Sequence, residues 1–149
     1  MIKKKLIEIC CGSIEDVILA SQFPVDRIEL NSALELGGLT PSIGTLREAR
    51  RRSRLPICCM VRPRTAGFHY TEDQFTSMCI DSEYLISNGA DGIVFGFLDE
   101  DMKVDVERTK QLVQTIHHYN REAIFHKAFD AIEDKDEACE MLIECGVDR

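Results

Sequence analysis

The chain is short of positive charge. Its 149 residues carry 18 Lys and Arg against 26 Asp and Glu, a formal net charge of −8. That balance excludes sequence-independent binding to nucleic acid or to an anionic membrane surface. Also missing is any apolar run approaching a membrane span. The apolar stretch in the opening MIKKKLIEICC is short and contains Glu8, so it reads as a buried strand, not a signal peptide. No segment is of low complexity, and no two cysteines have CxxC spacing, which removes the common zinc sites.

Cysteine itself is plentiful. There are seven, an odd number, and without a secretion signal they point to reduced thiols in the cytoplasm. Cys10-Cys11 and Cys58-Cys59 are adjacent on predicted strands, where neighbours face opposite ways, so neither pair is a natural chelate. Most of the thiols are expected to serve as small buried apolar groups. Basic residues cluster at Arg50, Arg51, Arg52 and Arg54, either as a solvated helix end favourable to the helix dipole or as an anion or partner site.

Strands are expected over 6–11, 27–31, 57–62, 92–96 and 123–129, each followed by a helix. Ser13 with Asp16, Thr40 with Pro41 at the first helical position, and Thr71 with Gln74 supply helix starts. Asn88-Gly89 and Gly146 supply stops. On the third helix Phe75, Met78, Cys79, Ser82, Leu85 and Ile86 fall at helical spacing, and on the fourth so do Val106, Thr109, Val113 and Ile116. Strict βα alternation means a parallel sheet with helices packed on it. A short phrase recurs at the strand starts, as Val25-Asp26-Arg27, Ala90-Asp91-Gly92 and Val147-Asp148-Arg149. Its copies lie about two βα units apart, so the third announces a sixth strand. The fold class expected is therefore α/β of the TIM (β/α)8-barrel family. Residues 1–149 would form one incomplete barrel domain of about five βα units, ending at the start of strand six with the C-terminal part absent. A complete flavodoxin-like five-stranded sheet is the alternative.

The strand faces favour the barrel. Sheets covered by helices on both sides have strands that are apolar throughout, and these are not. Glu8 and Cys10 share a face on the first strand, Arg27, Glu29 and Asn31 on the second, and Cys58, Met60 and Arg62 on the third, with Arg64 just beyond. His126, Ala128 and Asp130 share one on the fifth. The opposite faces carry Ile28, Leu30, Val61, Phe125 and Phe129. Charge thus gathers toward the carboxyl ends of the strands, where barrels place their active sites. Arg62 and Arg64 are candidates to clamp an anion, with Arg27 and Asn31 beside them as substrate-binding residues. His126, the one His on a predicted strand, is the candidate acid/base or metal ligand, and Glu8, Glu29 and Asp130 are the candidate carboxylates. Structural ion pairing among Glu8, Arg27, Glu29 and Arg62 is the competing role. His69 and Tyr70 fall in a loop able to fold over the mouth, while His117 and His118 fall on a helix surface.

Four segments in order, DRIELNSALELGGLTPS, MVRPR with Gly67, Phe68 and Tyr70 after it, ADGIVFGFL, and FHKAFD, resemble the CutC family, long associated with copper homeostasis. The resemblance implies a cytoplasmic TIM barrel, oligomeric once the barrel is complete, and continues past Arg149. It also implies Cu(I) held by cysteines at the ends of the first two strands. Cys10 matches the first of these; Asn31, a neutral amide, stands at the second, and Cys11 faces the helices. Lys127 stands where the family usually has Arg, and Thr65-Ala66 replaces Gly-Gly. Three readings follow. One is a copper homeostasis protein binding Cu(I) through Cys10, completed by His126 or a partner's sulfur. Another is a barrel enzyme in which Arg62 and Arg64 hold a small anionic metabolite while Glu29 and His126 move protons, with Asp130 orienting the His or binding a hydroxyl and Glu8 as a further catalytic candidate. The last is an inactive truncated product.

Overall fold

Every second strand begins with an aspartate, and these aspartates set the sheet. The computed structural model describes residues 5–149, so Lys3 and Lys4 of the opening basic run lie outside the described residues. Along the chain come β1 (Glu8–Cys11), α1 (Ile14–Ala20), β2 (Arg27–Leu30), α2 (Ile43–Arg52), β3 (Ile57–Met60) and α3 (Glu72–Ser87). They are followed by β4 (Gly92–Phe95), α4 (Val106–His118), β5 (Glu122–Phe125) and α5 (Lys135–Glu144). The strands form one parallel sheet in the order β1-β2-β3-β4-β5. A flavodoxin-like sheet reverses its strand order at a switch point. Unbroken sequential order is that of successive βα units of a barrel, and the flavodoxin-like alternative is excluded.

The recurring Asp does the same work three times. Asp26 donates its N–H to the Ile7 carbonyl (2.8 Å), and its carboxylate accepts the Ile7 N–H (2.9 Å). Asp91 does this with Ile57 (2.8 and 2.8 Å), and Asp148 with Ala123 (2.9 and 2.8 Å). Each clip joins the start of one strand to the start of the next and so fixes their register. The last clip lies on the outer side of β5, where Phe125 also donates to the Arg149 carbonyl (2.7 Å). Cations back two of the clips. Arg50 of α2 pairs with Asp91 at 3.0 Å, and His117 of α4 with Asp148 at 2.8 Å. Arg50 is therefore not a solvated helix end, and His117 has a definite partner. Arg51 and Arg52 bond Glu48 on their own helix, at 2.6 and 2.8 Å.

Between sheet and helices lies the main core, built from outward strand residues such as Ile28, Leu30, Cys59, Ile93 and Phe95 against Leu46, Met78, Leu85, Leu112 and Ile116. Tyr70 is buried there, edge-on to Phe97, so it does not cover the mouth. The capping box at Thr71 and Gln74 is present, and α5 ends just before the expected stop at Gly146. Helix α2 starts later than expected. Ser42, not Thr40, caps it by accepting the Thr45 N–H (3.1 Å). The Thr40 hydroxyl instead accepts the Arg62 N–H at 2.9 Å. The strands also end sooner than expected. Asn31 and Arg62 lie beyond the last residues of β2 and β3, and β5 stops at Phe125 because a 3-10 turn, Lys127–Ala131, begins after His126. Ala128 and Asp130 therefore do not continue a strand face.

Asp91→Ala leaves the buried Ile57 N–H and the Arg50 guanidinium without their acceptor. It should lower unfolding free energy by about 2 kcal/mol, and Asp91→Asn by less, because an amide oxygen still accepts the N–H. Urea denaturation reads both, and an Asp91→Ala protein as stable as wild type would show that the clip carries no stability.

Candidate functional site

The inward face of the sheet is concave and has three tiers. At its amino-terminal end Arg27, with 10% of its side chain exposed, pairs with Glu8 across the β1–β2 register and with Glu122 of β5 at 2.8 Å. Glu122 in turn pairs with Arg149. Burial pushes the Glu122 carboxyl up, and Arg27 only partly opposes this. The middle tier is apolar, made of Cys58, Met60, Val94 and Ile124. Above it, at the carboxyl ends of the strands, stand Cys10, Glu29, Asn31, His126, Lys127 and Asp130. A cavity of about 890 Å³ runs along this face and touches all three tiers.

Register brings Cys10 of β1 opposite Glu29 of β2. The Cys10 thiol donates to Glu29 Oε1 at 3.6 Å, and Asn31 Nδ2 donates to the same oxygen at 3.0 Å. Burial first, and then the Glu29 charge, push the Cys10 thiol up to about 11. Metals bind thiolates, not thiols, so this setting opposes a copper ligand. A two-thiolate site at the ends of β1 and β2 does not fit these residues, since the second position is Asn31. Among the described residues no three His, Cys, Asp or Glu side chains are grouped to hold a metal ion.

His126 is buried where β5 ends. Its Nδ1 accepts the Ala128 N–H at 3.1 Å, which places the ring proton on Nε2, and Nε2 has no partner. Burial, and then the nearby Arg62 charge, lower its pKa to about 3, so the ring is neutral. Gly96 of the strand next door makes this position available, because a Cβ there would fall 2.5 Å from His126 Nδ1 and Cε1.

Arg62 is 5% exposed and has no carboxylate partner among the described residues. Its Nη1 donates to the carbonyls of Leu36, Gly37 and Gly38 at 3.5, 3.3 and 3.3 Å, its Nε has no partner, and its guanidinium lies 5.2 Å from the centre of the Phe68 ring. Lys127 Nζ donates to the same Gly37 carbonyl at 2.6 Å. Both cations thus converge on the loop between β2 and α2, which is closed by a bridge from Ser32 to Leu39. Arg64 turns elsewhere. It bonds the carbonyls of Thr65 (3.0 Å), Ala66 and His69 (2.6 Å) and stacks over Tyr70.

The structure therefore brings Cys10, Glu29, Asn31 and His126 to one mouth, with Arg62 behind its rim. Glu8 and Arg27 lie at the opposite end of the concave face. Asp130 reaches the cavity wall from the 3-10 turn, and Arg62 and Arg64 both lie outside the cavity lining, Arg62 behind Gly37 of the wall. Two participants were not expected. Strand alternation aimed Lys127 at the helices, and the 3-10 turn re-aims it to the mouth. Glu122 lies one residue before the strand predicted from the sequence.

A parallel sheet of βα units in unbroken sequential order defines part of a TIM-type barrel. The family whose pattern matches residues 5–149 is the CutC family, and the chain belongs to it. A CutC family protein of Treponema denticola is 46% identical over 143 residues, covering 96% of this chain and 57% of that protein. The copper homeostasis protein cutC homolog of Drosophila melanogaster is 39% identical over 146 residues, covering 96% and 55%. The chain thus spans a little over half the length of these relatives. A crystal structure of CutC from Streptococcus agalactiae superposes with a TM-score of 0.88 at 27% identity, covering 97% of this chain and 70% of that one.

Because His126 is held neutral, its ring resonances in an NMR titration should not move between pH 8 and pH 5. The unfolded chain takes up a proton near pH 6.5 while the folded chain does not until about 3. His126 therefore makes stability fall as pH falls from about 6.5 to about 3, by up to about 1.4 kcal/mol per pH unit within that window. His126→Gln should flatten this part of the pH profile. A His126 resonance titrating near 6.5 would refute the burial account.

Proposed function

We propose that residues 1–149 form one partial-barrel domain whose mouth binds a small anionic metabolite, and that the domain contributes this site to a CutC-type barrel enzyme. The observation that carries the reading is Arg62. A guanidinium this deeply buried ordinarily has a counter-anion, whereas here neutral carbonyls of one loop take that place. A carboxylate or phosphate makes stronger bonds to Arg and Lys than a peptide carbonyl does. Arg62 and Lys127 would hold it, with Lys127 taking the role first expected of Arg64. Glu29, oriented by Asn31 and Cys10, is the carboxylate placed for proton transfer. His126 donates through Nε2–H. Calorimetric titration with acetate and with inorganic phosphate should give saturable binding to at least one. Lys127→Gln, at an exposed position where folding is safe, and Arg62→Gln should each weaken it about tenfold or more. Unchanged affinity in both variants would refute the clamp.

A second reading, copper homeostasis through Cu(I) binding, is supported by the exposure of Cys10 at the mouth and by the name of the Drosophila relative. The raised thiol pKa and the amide of Asn31 oppose it. Anaerobic Cu(I) titration should give the same stoichiometry and affinity for wild type and Cys10→Ala. A loss confined to the variant would restore the copper site.

A further inference from the structure

The mouth holds two buried polar side chains built alike. His126 has its Nδ1 occupied by the Ala128 N–H, so its remaining polar atom is the Nε2–H donor, which has no partner. Asn31 has its Nδ2 engaged by the Glu29 carboxylate (3.0 Å) and the Glu29 carbonyl (3.3 Å), so its remaining atom is the Oδ1 acceptor, which has none either. Asn31 is 1% exposed and His126 8%. Each is also seated on a glycine. A Cβ on Gly38 would fall 2.4 Å from Asn31 Oδ1, and one on Gly96 would fall 2.5 Å from the His126 ring. Both residues line the cavity.

A buried donor or acceptor left unmade is costly, and two of opposite polarity, both closed to solvent, on residues that line one cavity ask for a partner that both accepts and donates. A carboxylate or phosphate only accepts. A hydroxyl does both. From this pair, and resting on the anion reading above, we propose that the ligand is a small anion bearing at least one hydroxyl, such as a hydroxy acid or a sugar-type phosphate. Its anionic group lies with Arg62 and Lys127. Its hydroxyl functions donate to Asn31 Oδ1 and accept from His126 Nε2–H. Asn31 is then a specificity residue, and it stands at the position where the copper reading wants a second thiolate. The carbonyls of Leu36, Gly37 and Gly38 now bonded to the two cations yield to the anion as it enters, and the left-handed backbone at Gly37 and Gly38 (φ 87° and 82°) leaves that segment without side chains in the way.

The test is calorimetry on the full chain with two matched pairs of probes, acetate with glycolate and inorganic phosphate with glycerol 3-phosphate. Within whichever pair binds, the hydroxylated member should bind about tenfold or more tightly, and the pair that binds tells carboxylate from phosphate. Asn31→Ala should remove that preference. In 15N NMR of wild type, His126 should stay protonated on Nε2 alone, and that N–H signal should shift with the hydroxylated probe. Equal affinity within both pairs would overturn the inference and leave the anion site standing. Binding by none of the four would overturn both. The wild-type comparison decides the matter even where a variant misfolds.

Discussion

The reciprocal clip between an aspartate and a residue at the start of the preceding strand is the constraint on which the rest of this structure depends. A strand shifted by one residue turns all its side chains to the opposite face. In β2 such a slip would send Arg27, Glu29 and Asn31 into the apolar layer and leave Ile28 and Leu30 on the concave side. Hydrophobic pattern opposes that slip, but a four-residue strand has few side chains with which to oppose it. Asp26, Asp91 and Asp148 each add two bonds at a fixed point, the carboxylate accepting a backbone N–H and the Asp N–H donating to the carbonyl of the same residue. They act at the amino ends of the strands, and their effect is felt at the carboxyl ends, where the polar groups must meet.

Charge on the concave face divides accordingly. At the lower end Arg27 is matched by Glu8 and Glu122, so a buried cation has carboxylates on two sides. In this region the charges answer one another. At the upper end Arg62 and Lys127 have carbonyls and, among the described residues, no carboxylate, while Glu29 is bonded by an amide and a thiol. Acid and base are present in both places, but only below are they paired with each other. The two tiers are separated by the apolar layer of Cys58, Met60, Val94 and Ile124, which keeps the carboxylates below from reaching the cations above. Unpaired charge beside an apolar floor is what a ligand site requires.

Much of this was legible in the sequence. The alternation of apolar and polar residues in 27–31 and 57–62 gave the two faces, and the recurring Asp gave the repeat. The helix start at Thr71 with Gln74 and the helix stop at Gly146 were readable from local chemistry alone. What was not legible depends on where strands stop. Strand alternation beyond Phe125 put His126, Ala128 and Asp130 on one face, but a 3-10 turn has about three residues per turn instead of two, and it brings Lys127 to the mouth instead. Thr40 looked like a helix cap because its spacing permits it. Its hydroxyl is drawn away by the Arg62 N–H, a partner 22 residues distant that no local rule reveals. The tautomer of His126 likewise depends on the turn that follows it.

The inner face of β4 closes the argument about the site. Its concave residues run Gly92, Val94 and then Gly96, just past the strand end, and they offer no polar group at all. A Cβ on Gly92 would fall 3.0 Å from Cys58 Sγ and from the Glu122 carbonyl, and one on Gly96 would strike the His126 ring. The strand thus makes room twice, once beside the ion pairs below and once for the imidazole above. A glycine in a strand sacrifices some backbone stability, and ion pairs give a structural reason for Gly92. Gly96 admits a histidine that forms no ion pair, is held neutral, and leaves its one remaining proton unbonded. That placement lowers stability for no structural return within the described residues, and it is this unmade bond that the proposed ligand answers.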